Sequence, residues 1–184
     1  IVSANGIPTP RCVKANSAKE LNHCEIDSLR YPLFVKPAYE GSSKGVRSSS
    51  KVTDYRGLVD MVNRTTTTYG QPALIEEFLP GREFTVGIVG NEEITAFPIM
   101  EVRPIVETEP ESFVYCYDTK INNLEEFLCP APVDNGLAAA ILDVAIRSYR
   151  ALECRDLARV DVRLDSTGVP NFLEINPLPG LSAV

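Results

Sequence analysis

Three oxygen-bearing side chains near the end of the 184-residue sequence have the types and spacing of a divalent-metal site. Asp161 lies in an alternating apolar–polar run over residues 159–164, and Glu174 and Asn176 lie in a second run over residues 171–176. Because side chains alternate between the two faces of a β-strand, we predict that the three residues share one face of an antiparallel hairpin. Two carboxylates and an amide oxygen are hard ligands, which suit Mg²⁺ or Mn²⁺ better than zinc or copper.

The hairpin that must position these residues has a second, apolar face. The side chains predicted to pack on the core are Val160, Val162, Leu164, Leu173 and Ile175. The same alternation places Phe172 on the polar face with Glu174 and Asn176, and it places Arg159 and Arg163 on the polar face with Asp161. The turn over residues 165–168 joins the two strands.

Two other interpretations of the polar face stay open from the alternation alone. The outer face of an antiparallel hairpin commonly carries alternating charges without forming a site. A metal-dependent nuclease also carries acidic residues on a hairpin, but such sites commonly have a lysine two residues after the carboxylate, where this chain has Asn176. The rigid turn over residues 176–180, Asn-Pro-Leu-Pro-Gly, lies directly beside the predicted ligands and favours a functional site.

The composition is that of an ordinary globular domain, with 44% apolar and 23% charged residues. A formal net charge of −7 argues against a nucleic-acid partner, because such proteins usually carry a basic face. We find no secretory leader and no apolar run of the roughly 20 residues that cross a bilayer, and we expect a cytoplasmic protein without membrane contact. Five cysteines without a CxxC pair predict reduced thiols rather than disulfides or a zinc site.

A lysine and a small-residue loop in the first half of the chain could contact phosphates. Lys36 ends a strand predicted over residues 31–37, and a lysine there can reach a phosphate as a point charge. In the loop over residues 40–45, the glycines, the backbone amides and the hydroxyls of Ser42 and Ser43 can cover phosphates. Most such loops are plain turns, and this one is not a GxxxxGK[ST] loop, but its position directly after Lys36 strengthens the phosphate interpretation.

Residues 76–83 could hold the remainder of a nucleotide. Glu76, Glu77 and Leu79 end a strand predicted over residues 72–79 and could edge an adenine pocket. Glu83 could accept hydrogen bonds from ribose hydroxyls. Without the wider pattern, a plain strand end would be the preferred interpretation.

The remaining periodicities predict strands interleaved with helices, and hence an α+β or α/β fold with largely antiparallel sheets. The other predicted elements are helices over residues 17–22, 54–64 and 135–152, strands over 11–15 and from Val46, and a hairpin over 82–89 and 93–102. Residues 103–132 show no clear period. A boundary near residue 90 would separate a smaller first lobe from a larger second lobe.

Together these motifs resemble the ATP-grasp superfamily and, within it, the D-alanine–D-alanine ligase family. The segments that carry the resemblance are residues 6–10, 34–37 with 40–43, 74–77, 81–86, Lys120, 129–131, 158–161, and 174–176 with 179–180. The resemblance implies an α+β ATP-grasp fold with two lobes, whose largely antiparallel sheets are flanked by helices. The smaller lobe, 1–90, would carry the phosphate loop, and the larger lobe, 91–184, the metal site. Both ends of the sequence look cut, and the family's N-terminal domain is expected in the full protein, for which a homodimer is one expectation.

The resemblance also implies roles for individual residues. ATP contacts are implied for Lys36, Ser42, Ser43, Glu76, Glu77, Leu79, Glu83 and Lys120. Two Mg²⁺ (or Mn²⁺) ions are implied at Asp161, Glu174 and Asn176. Catalytic contacts are implied for Arg159 and the Gly180 amide, which would stabilise a tetrahedral oxyanion, and for Ser43.

The activity implied by the resemblance is ATP-dependent joining of a carboxylate to an amine through an acyl phosphate, making D-Ala-D-Ala for the cell wall. Two positions depart from the family pattern. Ile121 follows Lys120 where dipeptide-forming members usually have an aromatic residue, and Pro177-Leu178 replaces the small polar residues that many members have before Pro-Gly. A ligase for a different amino or hydroxy acid therefore stays open. Because the family's N-terminal domain and C-terminal tail are expected outside this sequence, a non-catalytic nucleotide-binding fragment stays open as well.

Overall fold

The computed structural model describes residues 1–21, 23–41, 44–105 and 125–180. These residues form two compact units, each built on its own antiparallel sheet. The four-stranded unit takes the described residues from 10 to 78. The six-stranded unit takes residues 1–9, 79–105 and 125–180.

The four-stranded unit has one face of its sheet covered by a helix. Its elements are β1 (Cys12–Ala15), α1 (His23–Ile26), β2 (Leu33–Pro37), β3 (Lys51–Val52), α2 (Tyr55–Tyr69) and β4 (Ala73–Glu77), with 3₁₀ turns at Ala18–Glu20 and Ser48–Ser50. The strand order is β1-β4-β2-β3, and every neighbouring pair is antiparallel. The covered face forms a core with α2, because Leu33, Val35 and Ile75 are fully buried beside Leu58 and Val62.

Helix α2 begins and ends at residues that suit those positions. The Asp54 side chain accepts a 2.8 Å hydrogen bond from Gly57 N, which satisfies a backbone donor that the first turn leaves unpaired. The helix ends at Gly70, whose φ of 62° is a left-handed conformation that glycine adopts readily. It runs five residues beyond the predicted end at residue 64. The prediction stopped there because the threonines over 65–68 are weak helix formers. Packing of the buried Thr65 keeps this segment helical.

The six-stranded unit carries the predicted metal residues. Its elements are a 3₁₀ turn at Ser3–Asn5, β5 (Glu83–Gly90), β6 (Ile94–Ala96), β7 (Met100–Pro104), β8 (Glu125–Leu128), α3 (Asn135–Ala151), β9 (Leu157–Leu164) and β10 (Pro170–Asn176). The strand order is β10-β9-β5-β7-β8, and β6 pairs with β5. The core lies between one sheet face and α3, with Phe84, Val160 and Val162 packed beside Ile141 and Tyr149.

The outer side of β10 is met by the first residues of the chain. Phe172 N donates a 2.8 Å hydrogen bond to Pro8 O, and Thr9 Oγ1 donates one of 3.1 Å to Phe172 O. Both backbone groups of Phe172 that face away from β9 are therefore paired.

Most sequence predictions of secondary structure are confirmed, and the fold is α+β with antiparallel sheets as expected. The segment over 17–22 forms only the 3₁₀ turn at Ala18–Glu20, and the strand expected from Val46 is the two-residue β3, which follows a second 3₁₀ turn. The return strand of the hairpin is split into β6 and β7. Strand β8 was not predicted, because its sequence, Glu-Glu-Phe-Leu, does not alternate between polar and apolar residues. Its four residues are all partly buried.

The division between the units differs from the predicted boundary near residue 90. That position is the last residue of β5, which pairs with β9 from Glu83 to Val89 and so belongs to the six-stranded unit. The chain passes from one unit to the other after Phe78. Within the described ranges, every helix is too short or too polar to cross a membrane.

The described cysteine side chains are those of Cys12, Cys129 and Cys154, and all three are free thiols. The side chains of Cys24 and His23, and all of Cys116, lie outside the described part of the chain.

Candidate functional site

The predicted metal residues lie side by side on the face of the six-stranded sheet that faces away from α3. Glu174 on β10 is directly opposite Asp161 on β9, and Asp161 is directly opposite Thr85 on β5. Asn176 is opposite Arg159 in the next row of the same face. Residues directly opposite on antiparallel strands have Cβ atoms about 4.5–5.5 Å apart, so these side chains can act on one ligand.

The register of β10 corrects one prediction. Phe172 was expected on the polar face, but it is 9% exposed and belongs to the core cluster. The reason is a β-bulge: Phe172 pairs with Val162 and Glu174 pairs with Asp161, so Leu173 is an extra residue without a partner position on β9. Simple alternation cannot anticipate an inserted residue. Leu173, expected in the core, is accordingly only partly buried.

Asp161 is held in one orientation by three hydrogen bonds. Arg159 Nε donates to Asp161 Oδ1 at 2.8 Å, and Arg159 Nη2 donates to Oδ2 at 2.7 Å. Thr85 Oγ1 donates to Oδ1 at 2.7 Å. Charge-assisted, two-point contacts of this kind fix the plane of a carboxylate. The orientation of the Asp161 carboxylate therefore depends on a residue from each of two strands.

Arg159 also balances the second carboxylate of the site. Its Nη2 lies 3.9 Å from Glu174 Oε1, and the Glu174 side chain is 44% exposed where that of Asp161 is 13% exposed. One guanidinium thus lies between two carboxylates on neighbouring strands. This arrangement reduces the repulsion between Asp161 and Glu174, while Glu174 keeps access to solvent.

Asn176 begins the turn that leaves β10. Its side-chain Oδ1 accepts a 3.1 Å hydrogen bond from Leu178 N, a contact that sets the direction of the Asn176 amide. Leu178 is 87% exposed in this turn, and Gly180 follows as an exposed residue. A carbonyl oxygen has two lone pairs, so this contact leaves Asn176 able to act as a ligand.

The donor set fits a hard divalent ion. Among the described residues no group of three or more His, Cys, Asp or Glu side chains could hold a metal. Asp161, Glu174 and Asn176 instead offer two carboxylates and one amide oxygen in adjacent rows. Mg²⁺ typically takes one or two protein carboxylates and completes its shell with water and phosphate oxygens. These three residues would hold such an ion.

Glu83, the predicted ribose ligand, is paired with Arg163 in the row beyond Asp161. The two residues are opposite each other on β5 and β9, and Arg163 Nη1 donates to Glu83 Oε2 at 3.1 Å. Arg163 Nε donates to Gly81 O, also at 3.1 Å. Burial lowers the pKa of Arg163 below its ordinary value, and the contact with Glu83 offsets only part of that effect. Sequence reasoning placed Arg163 on this face but missed its partner, which the β5–β9 register supplies.

Gly81 lies at a bend that no larger residue could form unchanged. A Cβ atom at this position would lie 2.6 Å from Leu164 Cβ and 2.7 Å from Leu164 O. The close approach is held by the hydrogen bond from Gly81 N to Leu164 O, 3.0 Å, and by that from Leu164 N to Arg82 O, 3.0 Å. The bend determines where Glu83, two residues later, enters the sheet.

The four-stranded unit brings Lys36 and Glu76 together. Lys36 Nζ lies 2.7 Å from Glu76 Oε2, and both side chains are largely shielded from solvent. They lie on the face opposite the buried Val35 and Ile75, where Phe34 is directly opposite Glu76. This face therefore combines a fixed ammonium group with an aromatic ring.

Glu77 is separated from this pair because its side chain points to the other face. Its Oε1 accepts hydrogen bonds from the Arg11 guanidinium and, at 2.8 Å, from Arg30 N. Burial opposes ionisation of Glu77, but these hydrogen bonds outweigh it and hold the pKa of Glu77 below its ordinary value. Glu77 thereby connects the residue that precedes β1 to the segment before β2.

The other predicted site residues are placed as follows. Leu79 is buried in the six-stranded unit. Ser42, Ser43, Lys120 and Ile121 lie outside the described residues. Sequence reasoning missed Thr85, although alternation along β5 already places its side chain on the same face as Glu83.

Comparison with known proteins shows consistent similarity along the chain. The family model described as D-ala D-ala ligase C-terminus matches residues 1–184. The uncharacterized protein y4sG of Sinorhizobium fredii is 35% identical over 184 residues, which cover 97% of this chain and 51% of that protein. The chain spans about half the length of the curated relatives it matches.

Two solved structures show the same fold. D-alanine–D-alanine ligase from Bacillus anthracis, complexed with ATP, aligns with a TM-score of 0.76 and 28% identity, covering 98% of this chain and 54% of that chain. VanG D-Ala:D-Ser ligase from Enterococcus faecalis aligns with a TM-score of 0.77 and 27% identity, covering 97% and 50%. These matches confirm the family and the ATP-grasp fold inferred from the motifs.

Proposed function

The chain belongs to the D-ala D-ala ligase C-terminus family, and on that premise we propose that it is the ATP- and metal-binding part of a carboxylate–amine ligase. The observation that carries the proposal is the row formed by Glu174, Asp161 and Thr85, with Arg159 between the two carboxylates. A plain solvated face would not require a two-point guanidinium contact and a buried hydroxyl on one aspartate.

Residues of both units support nucleotide binding, each within its own sheet. On the four-stranded sheet, Glu76 holds the Lys36 ammonium at 2.7 Å, which orients a point charge for a phosphate group. On the six-stranded sheet, Glu83 is a carboxylate suited to the ribose hydroxyls. Roles for Ser42, Ser43, Glu77, Leu79 and Lys120 rest on the resemblance to the family.

The proposed reaction has two steps. A carboxylate oxygen of the first substrate bonds to the γ-phosphorus of ATP, the bond from that phosphorus to the β-phosphate oxygen breaks, and ADP leaves. The amine of the second substrate then bonds to the acyl carbon, the acyl–phosphate bond breaks, and phosphate leaves with the electron pair while the amine loses a proton.

The protein's share of this chemistry is positioning and charge stabilisation. Arg159, held by Asp161, presents a guanidinium group where negative charge develops on the tetrahedral carbon's oxygen, and the Gly180 amide is a second donor. Divalent ions, when bound at Asp161, Glu174 and Asn176, neutralise phosphate charge. The chemistry requires no covalent protein nucleophile.

The best-supported substrates are two molecules of D-alanine, which would make this a step in peptidoglycan synthesis. A different amino or hydroxy acid is the second candidate, and it is favoured by Leu178, an exposed apolar residue beside the proposed metal ligands. The D-Ala:D-Ser specificity named for the Enterococcus relative indicates that this family accepts such variation. A non-catalytic nucleotide-binding role is the third, because the chain spans about half of its relatives.

The test is ADP release by the intact protein with ATP, Mg²⁺ and D-alanine. We expect D-alanine-dependent ADP release that Asp161→Asn abolishes without loss of the fold, as measured by circular dichroism. Release with D-serine or a D-hydroxy acid as second substrate, but not with D-alanine alone, would move the assignment to the second candidate. ATP binding without ADP release for D-alanine, D-serine or a D-hydroxy acid would favour the third candidate, a non-catalytic nucleotide-binding role. Retained activity in Asp161→Asn would show that the metal ligands are misplaced.

A further inference from the structure

The ion pair between Arg163 and Glu83 is not explained by the metal residues of the same face. It lies one row beyond Asp161, and both of its side chains are almost fully buried, with 7% and 11% exposed. Two ionised groups lose their hydration when they are buried, and their mutual attraction commonly does no more than offset that loss. Stability alone is therefore a weak reason for an arginine at this position.

Arg163 holds Glu83 at two points of the same short segment. Its Nη1 donates to the Glu83 carboxylate and its Nε donates to Gly81 O, each at 3.1 Å. Gly81 is itself fixed against Leu164, where the backbone leaves no room for a Cβ atom. The planar guanidinium thus connects the start of the bend to the carboxylate two residues later, and rotation of the Glu83 side chain would break one of these contacts.

Lysine or an apolar residue could not make this connection. A lysine offers one ammonium group without the forked geometry of the guanidinium, and an apolar residue would leave the Glu83 carboxylate buried beside no cation. The burial that lowers the pKa of Arg163 also excludes water. Without competing water, the hydrogen bonds from Arg163 to Glu83 and Gly81 are stronger than they would be at the surface.

We propose that Arg163 is a positioning residue that orients the Glu83 carboxylate toward the ribose hydroxyls of the nucleotide, and that this pair makes the protein select ATP over 2′-deoxy-ATP. The inference rests on the proposed function, because it requires nucleotide binding on this face. It goes further by assigning sugar selectivity to a second residue, which does not itself contact the sugar.

The experiment compares the dissociation constants of Mg-ATP and Mg-2′-deoxy-ATP, measured by calorimetry on the intact protein. Because both constants come from the same preparation, their ratio is independent of any inactive fraction. We expect a ratio of about 10 to 100 in the unchanged protein, the range given by one hydrogen bond to a charged acceptor. Glu83→Gln and Arg163→Met should each bring the ratio close to 1. Arg163→Lys keeps the positive charge but not the forked geometry, and it should retain part of the selectivity.

A matched control is Arg103→Met, which removes another arginine–glutamate pair from the same sheet. Arg103 on β7 pairs with Glu126 on β8, and both side chains are more exposed than those of Arg163 and Glu83. This variant should leave the ratio unchanged. If Arg163→Met weakens both nucleotides equally, or leaves the ratio intact while Glu83→Gln lowers it, Arg163 does not position Glu83.

Failure of the proposed function gives a different result. If the unchanged protein binds neither nucleotide, the ATP-binding assignment itself is wrong. If it binds both with equal affinity, nucleotide binding stands and the selectivity assigned to the Arg163–Glu83 pair is wrong.

Discussion

Thr85 and Asp161 are directly opposite each other on β5 and β9, and the Thr85 hydroxyl donates a 2.7 Å hydrogen bond to Asp161 Oδ1. The Thr85 residue is buried, so this hydroxyl exchanges little with water. A partner of this kind orients a metal-binding carboxylate without touching the metal. The proposed metal site thus depends on a strand that contributes none of its three ligands.

Thr85→Val should weaken the binding of Mg²⁺ or Mn²⁺ by about 10-fold, because removal of a partner that orients a ligand typically costs 10- to 100-fold in affinity. Thr85→Ser keeps the hydroxyl and should retain the affinity of the unchanged protein. Binding can be followed by Mn²⁺ electron paramagnetic resonance with ATP present. Thr9→Val removes a hydroxyl that donates to a backbone oxygen in the same unit, and it should leave affinity unchanged. Equal loss in both variants would contradict the assignment.

Arg159→Lys should reduce turnover by about 10²-fold with a smaller change in the KM for ATP, because a developing oxyanion would lose a forked donor. The measurement is steady-state ADP release with saturating amino acid. Arg103→Lys, a change of the same type at an exposed pair, should retain activity. A rise in KM at constant kcat would show that Arg159 binds the ground state and does not stabilise charge in the reaction.

Phe172→Ala should destabilise the protein by about 3–5 kcal/mol, since it empties a space in the core of the six-stranded unit. Leu173→Ala, one residue later, should cost much less because this side chain is the extra residue of the bulge. Free energies of unfolding from urea titration distinguish the two. The reverse order would mean that β10 follows simple alternation, with Leu173 in the core and Phe172 on the polar face.

Asp165 should stabilise the protein at neutral pH and cease to do so in acid. Burial raises its pKa, but hydrogen bonds to Oδ1 from Thr167 N, Thr167 Oγ1 and Val169 N outweigh burial and hold the pKa below the ordinary value of 3.8. A lowered folded pKa means that the unfolded chain binds the proton first. The contribution is therefore complete above about pH 4 and is lost as the pH falls through the folded pKa.

The matching measurement is the difference in unfolding free energy between the unchanged protein and Asp165→Asn. We expect about 1 kcal/mol at pH 7, the net value of hydrogen bonds to a charged acceptor over a neutral one, and a smaller difference at pH 3.5. Asp143→Asn breaks only an exposed pair with Arg147 and should change stability little at either pH. A pH-independent difference would show that the charge of Asp165 has no role.

Alternation in the two terminal strands was sufficient to predict that Asp161, Glu174 and Asn176 share a face, because one strand face must pack on the core. It could not predict the bulge at Leu173, since one inserted residue is decided by packing of Phe172 and not by local pattern. The Arg163–Glu83 pair depends on the register of strands about 80 residues apart, which no local pattern contains. The roles proposed for Ser42, Ser43 and Lys120 rest on the family resemblance.

Glu174 and Asn176 belong to the terminal strand of the six-stranded sheet, and an unprotected terminal strand is a template for pairing with other molecules. Here the bulge interrupts the regular ladder, and Pro8 and Thr9 already engage the outward backbone groups of Phe172. The same irregularity that brings Phe172 into the core therefore protects the sheet from edge-to-edge aggregation. Substitutions that straighten β10 would be expected to lower solubility.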